Sequence, residues 1–262
     1  MNFIINFIFS FFYVVIISYF PFLWRFLGIS LFLAFLLLFF NSNFYFIIYF
    51  TFLLLLSLFL YSLFFNLEFS SFNKFVVSNL KMGIIWFIFR EVILFFGFFW
   101  TLFDRSLNPN IELGNLWPSF YINPLNPFLV PLLNTLVLLS SGFFVTLAHY
   151  YIVLNHKKSV LYIFLTIILG VYFSLLQLIE YKNLNFTIID SIFGSSFFLF
   201  TGFHGIHVLC GSIFLFVITI RIIKLQINKL RHVGLEISIW YWHFVDVVWL
   251  FLYRFIYWWR FN

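Results

Sequence analysis

The sequence "WYWHFVDVVWLFLY", residues 240–253, places a histidine and an aspartate inside an otherwise apolar and aromatic run. His243 and Asp246 are three residues apart, so on a helix both side chains project from one face. The chain has only eight acidic residues, so a carboxyl group in such a segment requires an explanation. A charged side chain at the centre of a membrane costs about 2.5–3.5 kcal/mol and needs protein or water around it.

The composition identifies the solvent that the chain requires. Of its 262 residues, 65% are hydrophobic and 8% are charged, and the mean hydropathy is +1.11. Soluble domains carry about 25% charged residues, so this chain has too little polar surface to cover a core in water. The sequence therefore predicts a multi-pass membrane protein. The single cysteine, Cys210, excludes an intramolecular disulfide framework and a cysteine-based zinc site.

Transmembrane helices need about 20 apolar residues each, and this rule divides the chain. Seven segments are long and apolar enough, namely 22–40, 44–65, 82–103, 128–154, 160–179, 191–222 and 237–259. Residues 1–21 are apolar enough for an eighth span, an interfacial helix or a longer first helix. Residues 66–81 are expected to form a loop on the inside, and Asn126 and Pro127 to begin the fourth helix as N-cap and first residue. We expect one all-α membrane domain over residues 1–262.

Charge placement predicts the orientation of these spans. If alternate ends are assigned to one side, nine basic residues fall together and four lie on the other side with four acidic residues. The first side holds Arg25, Lys74, Lys81, Lys157, Lys158, Arg221, Lys224, Lys229 and Arg231, with Glu68 and Glu236. This asymmetry follows the positive-inside rule and favours seven spans with an inside N-terminus.

Two carboxyl groups inside predicted spans have alternative interpretations. His243 and Asp246 can satisfy each other as a buried pair that holds helices together, or they can handle protons or bind a ligand. Glu91 is expected to be neutral in an apolar helix, where it serves as a hydrogen-bond donor or as a proton carrier. Its neighbour Arg90 need not pair with it, because adjacent helical residues point about 100° apart.

The histidines of the predicted spans also have two interpretations. His204 and His207 are three residues apart in "TGFHGIHVLCG", so they either offer two nitrogens to a metal or bond to neighbouring helices. The spacing of Thr201 and Gly205 favours a close approach of another helix in this segment. His149 lies near the face that carries Asn134 and Ser141. No second paired histidine motif accompanies them, so interhelical hydrogen bonding is preferred to metal binding.

Four stretches together resemble subunit III of cytochrome c oxidase in its mitochondrially encoded form. These are "NPNIELGNLWPS", "INPLNPFLVPLLNTLVLLSSGFFVTLAH", "FTIIDSIFGSSFFLFTGFHGIHVLCGSIFLFVITIR" and "WYWHFVDVVWLFLYRFIYWW". The resemblance implies a two-helix and a five-helix bundle with a lipid-filled cleft between them. It implies no cofactor in this chain, haem a and copper in subunits I and II, accessory subunits as partners, and no nucleic acid. It also implies the mitochondrial inner membrane, with the N-terminus on the matrix side.

The resemblance also assigns roles to single residues. Glu91 matches a buried glutamate on the face towards subunit I, and His243 and Asp246 match the family's "WHFVD". Lipid-binding residues, expected to hold cardiolipin, phosphatidylglycerol or phosphatidylethanolamine, are Arg221, Lys224, His232, Glu236 and Glu68. Arg90 stands where the family carries a small polar residue. The resemblance therefore implies a non-catalytic subunit of a proton-pumping oxidase that stabilises subunit I.

A second hypothesis is an independent transporter or intramembrane metalloenzyme. It would use Glu91, His204, His207 and Asp246, the ionisable residues at predicted membrane depth. The two hypotheses differ in what these residues contact, because a metalloenzyme requires them to converge on one ion.

Overall fold

A computed structural model describes residues 74–109, 117–118, 122, 125–229 and 232–259. The elements within these ranges are α1 (Lys74–Leu107), α2 (Val130–Val153), α3 (Lys158–Lys182), α4 (Ile192–Ile223) and α5 (Val233–Leu252), which continues into a π-helical segment (Tyr253–Trp258). The predictions for residues 1–73, including the first two spans and Glu68, lie outside the described residues.

Five of the described helices are long and apolar enough to cross a membrane, which confirms the all-helical membrane fold. Four of the five predicted spans in this region begin and end within a few residues of the observed helices. The exception is α1, which begins at Lys74 instead of Met82, so the end of the segment predicted as an inside loop is helical. This extension contains the apolar residues Phe75, Val77 and Leu80, which are compatible with a helix. Polar residues between them lower the local hydropathy, so the predicted span does not include them.

The helix ends follow local chemistry. Ser191 is the N-cap of α4, and its side chain accepts a hydrogen bond of 3.0 Å from the Gly194 N–H. The prediction for α2 was wrong in detail, because that helix begins at Val130 with Pro131 in its first turn. The Asn126 side chain instead accepts a hydrogen bond from the Phe128 N–H in the preceding turn. Proline is tolerated there because the first-turn N–H groups have no partner within the helix.

Helices α2 and α4 end in the same way. Asn155 and Leu225 follow them with positive φ angles of 54° and 58°. The residue after each donates its N–H back across the last turn, from His156 to the Tyr151 carbonyl and from Gln226 to the Arg221 carbonyl. This Schellman arrangement satisfies carbonyl groups that the helix leaves free. It turns the chain sharply at one end of the bundle.

Trp242 on α5 is the centre of the packing. Its indole is fully buried, and its Nε1 donates a hydrogen bond of 2.9 Å to the Ser141 hydroxyl on α2. A Cβ added to Gly170 on α3 or to Gly211 on α4 would lie 2.7 and 2.9 Å from the indole carbons. One side chain therefore packs against three helices, and only glycine leaves room for it.

The close approach of another helix that was predicted around Gly205 occurs six residues further along α4. No described residue would come within 4 Å of a Cβ at Gly205, whereas Gly211 is in tight contact with Trp242. Thr201 is buried, and its hydroxyl lies 2.6 Å from the Tyr181 hydroxyl on α3. The small residues of α4 thus do permit close packing, but the position that uses it is Gly211.

Candidate functional site

Glu91 on α1 and His207 on α4 form a pair between two helices. Glu91 Oε2 lies 3.2 Å from His207 Nε2, and each side chain is only 12% exposed. His207 Nδ1 lies 2.7 Å from the Phe203 carbonyl oxygen, which can only accept, so Nδ1 must carry a proton. One further proton then occupies the contact between Oε2 and Nε2. Whichever atom holds it, the pair has no net charge, which removes most of the cost of burying it.

Arg90 contacts the other oxygen of the same carboxyl group. Its Nη2 lies 3.0 Å from Glu91 Oε1, and its guanidinium carbon lies 5.2 Å from the centre of the Phe87 ring. The long side chain folds back along the helix, so the divergence of neighbouring Cβ directions does not separate these two residues. The Arg90 side chain nevertheless remains 73% exposed.

Asp246 is buried where α2 and α5 approach each other. A Cβ at Gly142 would lie 2.6 Å from Asp246 Oδ2, so this glycine makes room for the carboxyl group. His243 Nδ1 lies 3.8 Å from the same oxygen, which is too long for a hydrogen bond, and the His243 side chain is 40% exposed. Among the described residues, Asp246 Oδ1 has no hydrogen-bond partner. The pair is thus looser than the spacing suggested, and one member is partly exposed.

His204 and His207 point to different helices. His204 Nε2 lies 3.2 Å from the Val245 carbonyl oxygen on α5, and its ring packs 5.1 Å from Trp249. His207 turns to Glu91 on α1. Together with the placement of Asp246, these contacts show no convergence of the four residues on one ion. The hypothesis of a transporter or metalloenzyme that uses them is therefore not supported.

His149 belongs to a separate cluster, at the end of the bundle where α2 ends and α5 begins. Its ring lies 5.5 Å from that of His232, and His232 Nε2 lies 3.0 Å from Glu236 Oε1. The Lys81 ammonium on α1 forms an ion pair with Glu236 Oε2. We call His149, His232 and Glu236 the His–His–Glu cluster.

Arg221 and Lys224 lie at the same end of the bundle. A Cβ at Gly234 would lie 3.3 Å from Arg221 Nη1, so the guanidinium group crosses the start of α5 at close range. Lys224 caps the C-terminus of α4 and is exposed. Two cationic residues, three positions apart, therefore lie at the end of α4.

Sequence reasoning missed a buried polar cluster at the opposite end. Glu180 is one of the four acidic residues counted at span ends on the other side, but it is 3% exposed, and the Tyr257 hydroxyl donates a hydrogen bond of 2.7 Å to its Oε1. One turn away, the Asn134 amide lies 3.4 Å from Gln177 Oε1. Gln177 and Glu180 are three residues apart on α3, and this shared face was the available signal.

Comparisons with known proteins agree with this architecture. The sequence profile of the family described as cytochrome c oxidase subunit III matches residues 10–261. Curated relatives named cytochrome c oxidase subunit 3 are similar to this chain. That of Pelomedusa subrufa is 54% identical over 185 residues, which cover 70% of this chain and 71% of the relative. That of Pisaster ochraceus is 55% identical over 193 residues, which cover 73% and 74% of the two chains. This chain therefore belongs to the cytochrome c oxidase subunit III family.

Proposed function

We propose that this chain is a core, non-catalytic subunit of cytochrome c oxidase. The family match over residues 10–261 carries this proposal. In such a complex, haem a and copper are held by subunits I and II, and this subunit supports electron transfer from cytochrome c to O2 by stabilising subunit I. The buried polar groups support this role, because Glu91, His204 and His207 are bonded to neighbouring helices of the same bundle.

The face of α1 that turns away from the bundle is the proposed contact with subunit I. It carries a row of large apolar side chains that are 54–67% exposed, at alternating spacings of three and four residues. The row consists of Trp86, Phe89, Ile93, Phe96 and Trp100. Such spacing aligns side chains along one seam, as in helices that pack against a second helix.

Arg90 supports the proposal that this row of α1 side chains contacts protein and not only lipid. Its exposed guanidinium group flanks the row of aromatic residues, within a segment apolar enough to span the membrane. In lipid, an arginine near mid-membrane costs about 2.5–3.5 kcal/mol unless a protein group or water solvates it. The contact with Glu91 Oε1 uses only part of the hydrogen-bonding capacity of the Arg90 guanidinium group. We therefore propose a polar group on subunit I as its second partner. Glu91 would then support this interface from within the bundle.

The basic end of the bundle is the proposed lipid site. Arg221 and Lys224 offer two cationic groups, and such groups attract phosphate at a membrane surface. Cardiolipin, phosphatidylglycerol or phosphatidylethanolamine would each supply that phosphate. Glu236 is engaged by Lys81 and His232, so we assign the phosphate contact to Arg221 and Lys224, and we propose His232 as a further contact. Glu68, by resemblance, would contribute from the other side of the cleft.

The location follows from the same proposal. A mitochondrially encoded subunit of this kind lies in the inner membrane. The excess of basic residues at the ends assigned to the inside supports an N-terminus on the matrix side.

Co-purification tests the proposed function. The chain is purified from native membranes in a mild detergent, and the absorbance of haem and the protein stoichiometry are measured. We expect haem-containing oxidase with one copy of this chain for each copy of subunit I. Arg90→Leu should lower the fraction of chain that remains with haem in stronger detergent, whereas Arg254→Leu, an exposed arginine on the last helix, should not. A chain that purifies alone, without haem, would refute the proposal.

A further inference from the structure

We propose that the His–His–Glu cluster binds one divalent transition-metal ion of the Zn²⁺ class. The three residues come from two helices, His149 from α2 and His232 and Glu236 from the start of α5. One ligating atom from each lies within 4.8 Å of the other two. Within the described residues, no other group of three histidine, cysteine or acidic side chains meets this criterion.

The donor set suits such an ion. Two imidazole nitrogens and one carboxylate oxygen are a ligand combination that Zn²⁺ accepts, with water completing a tetrahedral site. Metal–ligand distances of about 2.0–2.1 Å place ligand atoms about 3.3 Å apart in that geometry. The observed distance of 3.0 Å between His232 Nε2 and Glu236 Oε1 is already close to this value, and His232 Nδ1 is a second nitrogen that could ligate the ion instead. The ligating atom of His149 lies within 4.8 Å of the other two, so metal binding requires this side chain to move closer.

Unpartnered atoms provide an independent observation. His149 Nε2 and His232 Nδ1 are each inaccessible to solvent and make no hydrogen bond in the described structure, whereas Glu236 Oε2 is held by Lys81. Buried polar atoms without hydrogen bonds are uncommon in folded proteins and point to an unrecorded partner such as an ion. Two such atoms are imidazole nitrogens, which become metal ligands when they lack a proton.

Lys81 competes with the proposed metal ion for the carboxylate group of Glu236. Its ammonium group pairs with Glu236, and its side chain is 35% exposed. The Trp240 ring lies 6.0 Å away and gives the ammonium group an alternative contact. A metal ion bound to Glu236 would therefore be repelled by the positive charge of Lys81. Removal of that charge should strengthen metal binding, whereas a cluster held only by the ion pair would gain no affinity for metal.

The consequence of occupancy is a metal link between α2 and α5. His149 is near the C-terminal end of α2, and His232 precedes the first turn of α5. In the described structure these helix ends meet through the contact between the His149 and His232 rings. An ion would tie them directly, beside the cationic groups of Arg221 and Lys224.

Metal analysis of the intact complex tests this inference. Purified oxidase is washed with a chelator, titrated with Zn²⁺ alone, and analysed for bound zinc per haem by mass spectrometry. We expect one tightly bound equivalent in the wild type and in His156→Asn, a control that changes an exposed histidine at the same end of the bundle. His149→Asn and His232→Asn should weaken this equivalent by on the order of a hundredfold or more. Lys81→Met should tighten it by on the order of tenfold.

Equal zinc content in the wild type, His149→Asn and His232→Asn would overturn the proposal. If those variants do not assemble, X-ray absorption of the wild-type complex, compared before and after reloading, gives the answer. We expect the added zinc to have nitrogen and oxygen neighbours at about 2.0–2.2 Å. Sulfur neighbours, or no added zinc, would exclude the cluster as the site. This result is distinct from the co-purification test, which does not depend on metal.

Discussion

Helices α1 and α5 are both apolar and rich in aromatic residues, but they use those residues in opposite ways. In the most apolar window of the segment that contains α5, 61% of residues are buried within the described bundle, and in that of α1 only 11% are. Trp242 and Trp249 of α5 are fully buried, whereas Trp86 and Trp100 of α1 are more than 60% exposed. Composition alone does not distinguish a helix that organises a bundle from one that offers a surface to a partner.

The difference lies in what each helix meets. The side chains of α5 are received by small residues of its neighbours, with Gly170 and Gly211 around Trp242 and Gly142 beneath Asp246. The outer face of α1 has no such receiving groove among the described residues, since Gly83 and Gly97 would accept a Cβ without contact. In lipid, where apolar surface alone does not drive association, this shape complementarity supplies most of the attraction. Helix α5 is therefore expected to carry the stability of the bundle, and α1 its assembly.

Replacement of Trp242 by alanine is the largest expected effect. The change removes an indole that packs against three helices and leaves a cavity, so the free energy of unfolding should fall by about 3–5 kcal/mol. Trp100→Ala is the matched control, because it removes the same side chain from the exposed face of α1. It should change the stability of the bundle by less than about 0.5 kcal/mol.

Thermal or denaturant unfolding of both variants, in the same detergent, measures this contrast. Trp100→Ala should instead weaken assembly, so that a smaller fraction of the chain remains with haem after purification. Equal losses of stability in the two variants would show that the bundle does not depend on α5 more than on α1.

Overpacking at Gly211 is the next effect in size. A leucine there would press against the Trp242 ring, so Gly211→Leu should lower the free energy of unfolding by about 1–3 kcal/mol. Gly205→Leu on the same helix has open space around the new side chain and should be nearly neutral. The two variants have the same change in helix propensity, so the difference between them reports packing alone. A larger loss at Gly205 would contradict the arrangement around Trp242.

The sequence predicts the elements of this fold well because their signals are local. Length and apolarity place four of the described helices to within a few residues, and Ser191 marks the start of α4. The boundary of α1 was missed because polar residues interrupt the apolar window without breaking the helix. Asn126 and Pro127 form a turn before α2 instead of starting it. Pro131 has no N–H and is accommodated in the first turn of a helix, so the helix begins close to Pro131.

The partners of buried groups could not be predicted in the same way. Glu91 and His207 are 116 residues apart, and Trp242 and Ser141 are 101 residues apart. Such pairs depend on how the helices pack, which the periodicity of one helix does not contain. The i, i+3 spacing of His243 and Asp246 is a local signal, but the structure turns Asp246 towards Gly142 and leaves the pair at 3.8 Å.

Glu91 tests whether α1 is joined to the bundle by the neutral pair with His207. Glu91→Ala leaves a buried imidazole without its partner, so we expect a loss of about 1–3 kcal/mol and reduced assembly. Glu91→Gln keeps the shape and one hydrogen bond but cannot titrate near neutral pH. If the pair is structural, the glutamine variant should reduce O2 and pump protons at rates close to wild type.

The opposite outcome would give α1 a chemical role. A glutamine variant that assembles fully but loses most of its turnover, increasingly as pH rises, would indicate that Glu91 carries protons. His207→Asn then offers a second check, because it removes the same shared proton from the other side of the contact. Wild-type turnover in both variants would place the pair among the contacts that hold α1 to α4.

The smallest expected effect is on bound lipid at the basic end of the bundle. Arg221→Ala removes one of two cationic groups at the end of α4, and each such group contributes about 1 kcal/mol to attraction of an anionic surface. We expect fewer phospholipids per haem in the purified complex, with little change in the free energy of unfolding. Arg254→Ala is the control, since Arg254 lies towards the opposite end and stacks 5.7 Å from the Trp258 ring. Phosphorus analysis of the two purified complexes measures the difference.

The double variant of Arg221 and Lys224 should lose more lipid than either single variant, because the two cationic groups act together. Equal lipid content in Arg221→Ala and Arg254→Ala would refute the assignment of a lipid headgroup to Arg221.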